Sequence, residues 1–159
     1  MAAREDLGSW LEGGPPRGSG GEPGPLAGLP AAGTGSRAPL ARRLVALAID
    51  WALSSVIATQ LLGPEPLLPV MVFALENLLL VGTLGYTIGH RLVGIQVRPV
   101  AAATRGASTD PAPDVPRLVG LGRAALRTAL LCLVIPAVVW DRDGRGLHDR
   151  AAGTVIVRR

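Results

Sequence analysis

Three apolar blocks, Leu44 to Leu62, Leu67 to Ile88 and Leu118 to Trp140, constrain this chain more than any motif in it. A helix needs about 20 apolar residues to cross hydrocarbon, and there only a helix or a closed barrel satisfies its own backbone polar groups. The first two blocks are long enough to span. The third carries Arg123 and Arg127 one turn apart and Pro136 near its far end, so its uninterrupted part, Thr128 to Trp140, is short for a span. The pattern predicts an all-α membrane protein with two transmembrane helices and a third helix that is re-entrant or spanning.

Composition agrees. A chain of 159 residues that is 48% hydrophobic, with a mean hydropathy of +0.37, is too apolar for an ordinary soluble domain. All 16 basic residues are arginine and the net charge is +4. The arginines flank the apolar blocks instead of lying among aromatic side chains, so they are read as topology signals and no nucleic-acid partner is expected. Arg37, Arg42 and Arg43 precede the first block, whereas the turn after it, Gly63-Pro64-Glu65-Pro66, has an acid and no Arg. The first helix is therefore expected to run outward from the cytoplasm, and the second to return to Arg91, Arg98, Arg105 and Arg117. Were the third block to cross, Arg142, Arg145, Arg150, Arg158 and Arg159 would face outward. That conflict favours the re-entrant form and a cytoplasmic C-terminus, in a multi-pass protein of the cell (inner) membrane.

Residues 1–39, mostly Gly, Pro, Ala and Ser, read as a disordered cytoplasmic tail. No apolar segment follows its first Arg, so a cleaved signal peptide is not expected. One patch, Leu7-Gly8-Ser9-Trp10-Leu11, either rests on the bilayer interface or docks a partner. The remainder, 40–159, reads as one membrane domain. Within it, residues 95–98 and 154–158 alternate as short strands do, and they are expected to form a small cytoplasmic β-pair because neither could stand alone. Gly82, Gly85, Gly89 and Gly94, around the exit of the second block, permit close helix approach and sharp turns. No Gly-Lys-Ser/Thr follows them, which argues against a phosphate loop.

A charge at the bilayer centre costs at least about 2.5 to 3.5 kcal/mol, so Asp50 and Glu76 need partners or water. Arg43 and Asp50 lie on one helix face but about 10.5 Å apart along the axis, too far for a direct pair. Arg43 is expected to snorkel to lipid headgroups, and Asp50 to pair with an arginine of the third block, Arg127 before Arg123. Two readings remain open. In one, Arg43 is an anchor and Asp50–Arg127 a buried pair that fixes helix packing. In the other, Asp50, Glu76 and Asn77 line a polar path for a cation or proton whose charge Arg127 and Arg123 tune. Asp149 is expected in a cytoplasmic turn, capping backbone amides or pairing with Arg91. The spacing of His90, His148 and Asp149 fixes no metal geometry, and no Ser, Cys or Lys sits beside a credible base. Neither catalytic residues, a metal nor a cofactor is expected.

Arg43 and Asp50 seven residues apart, the segment Gly85 to Val97, Arg123-Ala124-Ala125-Leu126-Arg127, and the distal His148-Asp149 occur in that order. Through these four segments the chain, from about Pro39 to its end, resembles the RDD family of bacterial integral membrane proteins. Arg43, Asp50 and Asp149 are the matching motif positions; family members often carry Lys where His90 stands, and many have a longer third membrane region. Transport of unidentified ligands has been proposed for the family. The resemblance thus implies a small transporter or transport-associated component, the alternative being a non-transporting accessory or assembly subunit of a larger complex. Two or three short helices cannot enclose a pathway alone, so the expected partners are the lipid bilayer and either further copies of the chain or a larger membrane complex.

The arginine distribution yields a direct test. A reporter fused after Arg159 should be active only on the cytoplasmic side, and activity only outside would overturn the orientation.

Overall fold

The computed structural model describes Leu26 and residues 28–105, 118–133 and 145–159. The Trp10 patch and the end of the third block from 134 to 140 lie outside the described residues, and with that end the choice between a re-entrant and a spanning third helix.

Helix α1, Leu40–Leu62, is α-helical to Ile57 and widens to a π-helix over Ala58–Leu62. It begins one turn earlier than expected, after an extended Pro39 whose carbonyl accepts the Arg43 N–H at 3.3 Å. After a short turn, α2 (Leu68–Leu84) returns beside it, and Trp51 meets Phe73 edge to face, with ring centroids 5.7 Å apart. Among the described helices, α1 is the one long and apolar enough to cross a membrane; α2 is apolar but shorter.

The second helix was expected to continue to Ile88, and it does not. Gly85 takes up a left-handed conformation (φ 79°) and ends α2, its N–H bonding back to the carbonyls of Leu80 and Val81. The chain re-enters a helix only at α3, Ile88–Leu92, started by a capping box. The Thr87 side chain accepts the His90 N–H at 3.2 Å, and His90 Nδ1 accepts the Thr87 N–H at 3.3 Å. The break has a consequence for the sheet, because the Gly85 carbonyl it frees accepts the Val97 N–H at 2.7 Å.

Strands β1 (Ile95–Pro99) and β2 (Thr154–Arg158) pair as expected, and the pairing is antiparallel, with Val97 opposite Ile156. Between them come α4 (Val100–Arg105), α5 (Leu121–Cys132) and α6 (Leu147–Ala151). Helix α4 was not anticipated, and α6 replaces the turn expected around Asp149. In α4 the run Val100-Ala101-Ala102-Ala103 favours a helix, and Ala103 packs into an apolar cluster with Leu26, Val155 and Val157.

The outer edge of β2 is also covered, by residues 35–38. Gly35 and Ala38 donate to the Arg158 and Ile156 carbonyls, each at 2.9 Å, and Arg158 donates to Ser36 at 2.8 Å. These residues fall within the segment expected to be tail, so the ordered body begins before Pro39. Unpaired strand edges are unfavourable, and this strap leaves β2 flanked on both sides. One face of the sheet (Ala38, Ile95, Val97, Ile156) then packs against Ala46, Val81, Val119 and Ala124 of the helical layer.

Candidate functional site

Arg43, Ala46, Asp50 and Ser54 recur at helical spacing and form the buried stripe of α1. Apart from Ala46 these are polar, so the helix turns its polar face inward and exposes Leu44, Val45, Trp51, Val56 and Ile57. Asp50, only 2% exposed, reaches the break between α2 and α3. Its Oδ1 accepts the Gly89 N–H at 2.6 Å, and its Oδ2 is hydrogen-bonded to the Thr87 hydroxyl at 2.5 Å. A Cβ on Gly89 would collide with the Ala46 carbonyl and the Asp50 carboxyl, so the close approach requires glycine. Gly82 does the same for α5, where a Cβ would meet Leu121. Gly94 lies in the turn between α3 and β1, where Arg42 donates to the Val93 carbonyl at 3.1 Å.

The expected Asp50–Arg127 pair is replaced by a different one. Arg127 Nε donates to Asp149 Oδ1 at 2.8 Å, with both side chains buried. The turn at Gly120 aims the buried face of α5 (Ala124, Arg127, Thr128) at α6, while Arg123, one turn earlier, points outward and is exposed. Asp149 thus lies in the short helix α6 and not in a turn, and it pairs with Arg127 and not with Arg91, which sits over the Tyr86 ring. The Thr154 hydroxyl also donates to Asp149 Oδ1 at 3.0 Å, and His148 Nε2 lies 3.5 Å from Oδ2. Burial opposes a charge on Asp149, but Arg127, His148 and Arg43 together outweigh it and hold the carboxyl below the usual carboxylate range. Arg43 does not snorkel either: it is buried and donates through Nε to the Ala38 carbonyl at 2.9 Å, joining α1 to the strap.

Toward the other end of the helix pair, the Ser54 hydroxyl donates to Glu76 Oε2 at 3.2 Å. Glu76 Oε1 is buried with no well-formed hydrogen bond among the described residues, although the Ile88 N–H at the start of α3 lies nearby. Asn77, buried beside it, turns its amide away and donates to the Phe73 carbonyl at 3.1 Å. This is also where α2 widens into its π-helical stretch, Asn77–Val81, a distortion often found at functional positions.

The sequence reading missed Thr87, which touches both Asp50 and His90. A Thr three residues before the His was the available signal, since that spacing is the one a cap uses. His90 is buried, and burial first and the Arg127 charge second push its imidazole down to about 3. Among the described residues no three His, Cys, Asp or Glu side chains are grouped to hold a metal ion.

Compared with family models, curated proteins and solved structures, the chain has no match. Any functional reading must come from its own residues.

Two outcomes are expected of this cluster. Arg127→Leu and Asp149→Asn should each lower stability by about 3 to 5 kcal/mol in detergent unfolding, because each strands a buried partner, and the double variant should regain part of the loss; additive losses would disprove the coupling. The second concerns acid. Since the folded-state pKa of His90 lies below the ordinary 6.5, its contribution to stability is complete above that pH and is lost as pH falls toward about 3. The melting temperature should decline across that window and decline less in His90→Gln, and equal slopes for the two proteins would refute the assignment.

Proposed function

We propose that this chain is a multi-pass inner-membrane protein of the RDD type, serving as a small transporter or transport-associated component with its polar site between α1 and α2. The observation that carries this reading is Glu76. Its Oε2 is held by Ser54, its Oε1 is buried with no well-formed hydrogen bond among the described residues although the Ile88 N–H lies nearby, and it sits between helices whose outer faces are apolar. An intramembrane carboxylate is expensive, and those that persist commonly exchange a proton or a cation.

Several features support the membrane setting. Leu44, Val45, Leu61, Met71, Leu75 and Leu79 are exposed along the helix pair, which suits lipid contact. No arginine occurs between Arg43 and Arg91, whereas Arg37, Arg98, Arg158 and Arg159 gather around the sheet, as a cytoplasmic end would have it. At about 1.5 Å per residue α2 is about 25 Å long, within reach of a slightly thinned bilayer. The pair of helices encloses no pathway alone, so the reading includes a homo-oligomer or a larger membrane complex.

A second reading, a non-transporting accessory or assembly subunit, is favoured by the fact that Asp50 and Asp149 bind groups of the chain itself. Reconstitution separates the two. Liposomes containing the protein and a trapped pH-sensitive dye should respond to imposed sodium, potassium or proton gradients. The response should vanish in Glu76→Gln and persist in Arg123→Gln, whose side chain is outside the cluster. Folded protein no more permeable than empty liposomes to all three ions would reject transport and leave the accessory reading, which copurification from native membranes would then pursue.

A further inference from the structure

The Thr87 hydroxyl has one hydrogen and two very close neighbours. Its oxygen lies 2.5 Å from Asp50 Oδ2 and 2.5 Å from His90 Nδ1. Polar atoms approach this closely only with a hydrogen between them, since two facing lone pairs repel. Two such contacts require two hydrogens, and the hydroxyl supplies one. The other must reside on Asp50 Oδ2 or on His90 Nδ1. We propose that Asp50, Thr87 and His90 form a proton-sharing chain, with one proton held between the carboxyl and the imidazole across the Thr87 hydroxyl.

The backbone indicates where the proton rests. The Thr87 N–H donates to His90 Nδ1 at 3.3 Å, so that nitrogen presents a lone pair. The proton then belongs to Asp50 Oδ2, which donates to Thr87 Oγ1, whose own hydrogen is donated to Nδ1. The opposite state is reached by two short hops. The Oδ2 proton moves to Oγ1 as the Oγ1 proton moves to Nδ1, leaving a carboxylate, an unchanged hydroxyl and an imidazolium. No atom is gained or lost, and the charge moves across the break between α2 and α3.

The surroundings bias the equilibrium. Burial first, then Arg127 on α5, Arg43 on α1 and His148 on α6, act against an imidazolium at position 90, and Asp149 on α6 acts for it. The Gly89 N–H, 2.6 Å from Oδ1, can stay hydrogen-bonded to the carboxyl in both states. Asp50 and His90 are 2% and 6% exposed, so water does not intervene freely. On the other side of Asp50, one turn along α1, Ser54 holds Glu76. The chain therefore lies between the Glu76 site and the sheet end of the protein. It builds on the transport reading by naming the proton as the species handled, yet it is measurable without any flux.

The test uses the full chain in lipid nanodiscs. Infrared spectra of the wild type minus Asp50→Asn report whether Asp50 is protonated, and nitrogen NMR, with His90 assigned by its loss in His90→Gln, reports which ring nitrogen carries hydrogen. At neutral pH the expected result is a protonated Asp50 and a His90 bare at Nδ1. On raising the pH, loss of the Asp50 proton should shift the His90 nitrogen signal in step. Thr87→Ser should keep this linkage, and Thr87→Val should break it. An ionised Asp50 beside a neutral His90 at neutral pH, or a linkage that survives in Thr87→Val, overturns the proposal. If Thr87→Val does not fold, the wild-type and Thr87→Ser spectra still decide. Absent flux with a protonated, linked Asp50 would reject transport alone, whereas flux with an ionised, unlinked Asp50 would reject the chain alone.

Discussion

The ion pair between Arg127 and Asp149 joins two helices through residues that lie 22 apart in the chain. Taking a charge out of water costs several kcal/mol unless a partner of good geometry replaces the solvent, and both of these side chains are almost fully buried. Their union draws α5 onto α6, and the Thr154 hydroxyl on the same carboxylate oxygen ties in the start of β2. The pair also sets the electrostatics nearby, because the Arg127 charge bears on Asp50 and His90 as well as on Asp149. Removing either partner would alter the folding energy and the field around the Asp50 cluster together.

Asp50 plays a complementary part as the clasp of a broken helix. Gly85 stops α2, and three residues later the chain restarts with free N–H groups that need an acceptor. The Asp50 carboxyl reaches across from α1 and takes one of them, at Gly89, where the missing Cβ lets the backbones approach. The break is thus stabilised from outside its own segment. It also places Thr87 and His90 against a carboxyl that an unbroken helix would have kept from them. Local irregularity and candidate chemistry coincide here, as they do where the π-helical stretch of α2 follows Glu76.

Much of the fold was legible because it depends on local pattern. The length of the apolar blocks located α1 and most of α2, and alternation at Ile95 to Val97 and Val155 to Val157 located the strands and their pairing. Asp50, Glu76 and Arg127 also stood out, since charge inside an apolar block is costly wherever it points; Asn77 stood out as a polar residue beside Glu76, and Arg43 and Asp149 as motif positions of the family resemblance. Their partners were not legible. Arg43 was expected at the headgroups and instead binds the Ala38 carbonyl, because a strap from the supposed tail lies on β2 and offers that acceptor. Arg123 and Arg127 looked equivalent in sequence, and the one-turn difference in facing decided that Arg127 is buried and Arg123 exposed. Helices α4 and α6 were too short for periodicity to register and are kept by packing on the sheet and against α5.

By itself the sequence determined which segments are apolar enough to form the helical layer, where the chain must turn, and which charges would need partners, since each of these follows from the hydration and backbone preferences of residues close along the chain. Tertiary structure alone decided who the partners are. Asp149 lies 22 residues from Arg127 and Gly89 lies 39 from Asp50, and at those separations no spacing rule operates. A buried charge takes whichever complementary group the packing of α1, α3, α5 and α6 brings within hydrogen-bond reach, and that geometry exists only once those elements have met.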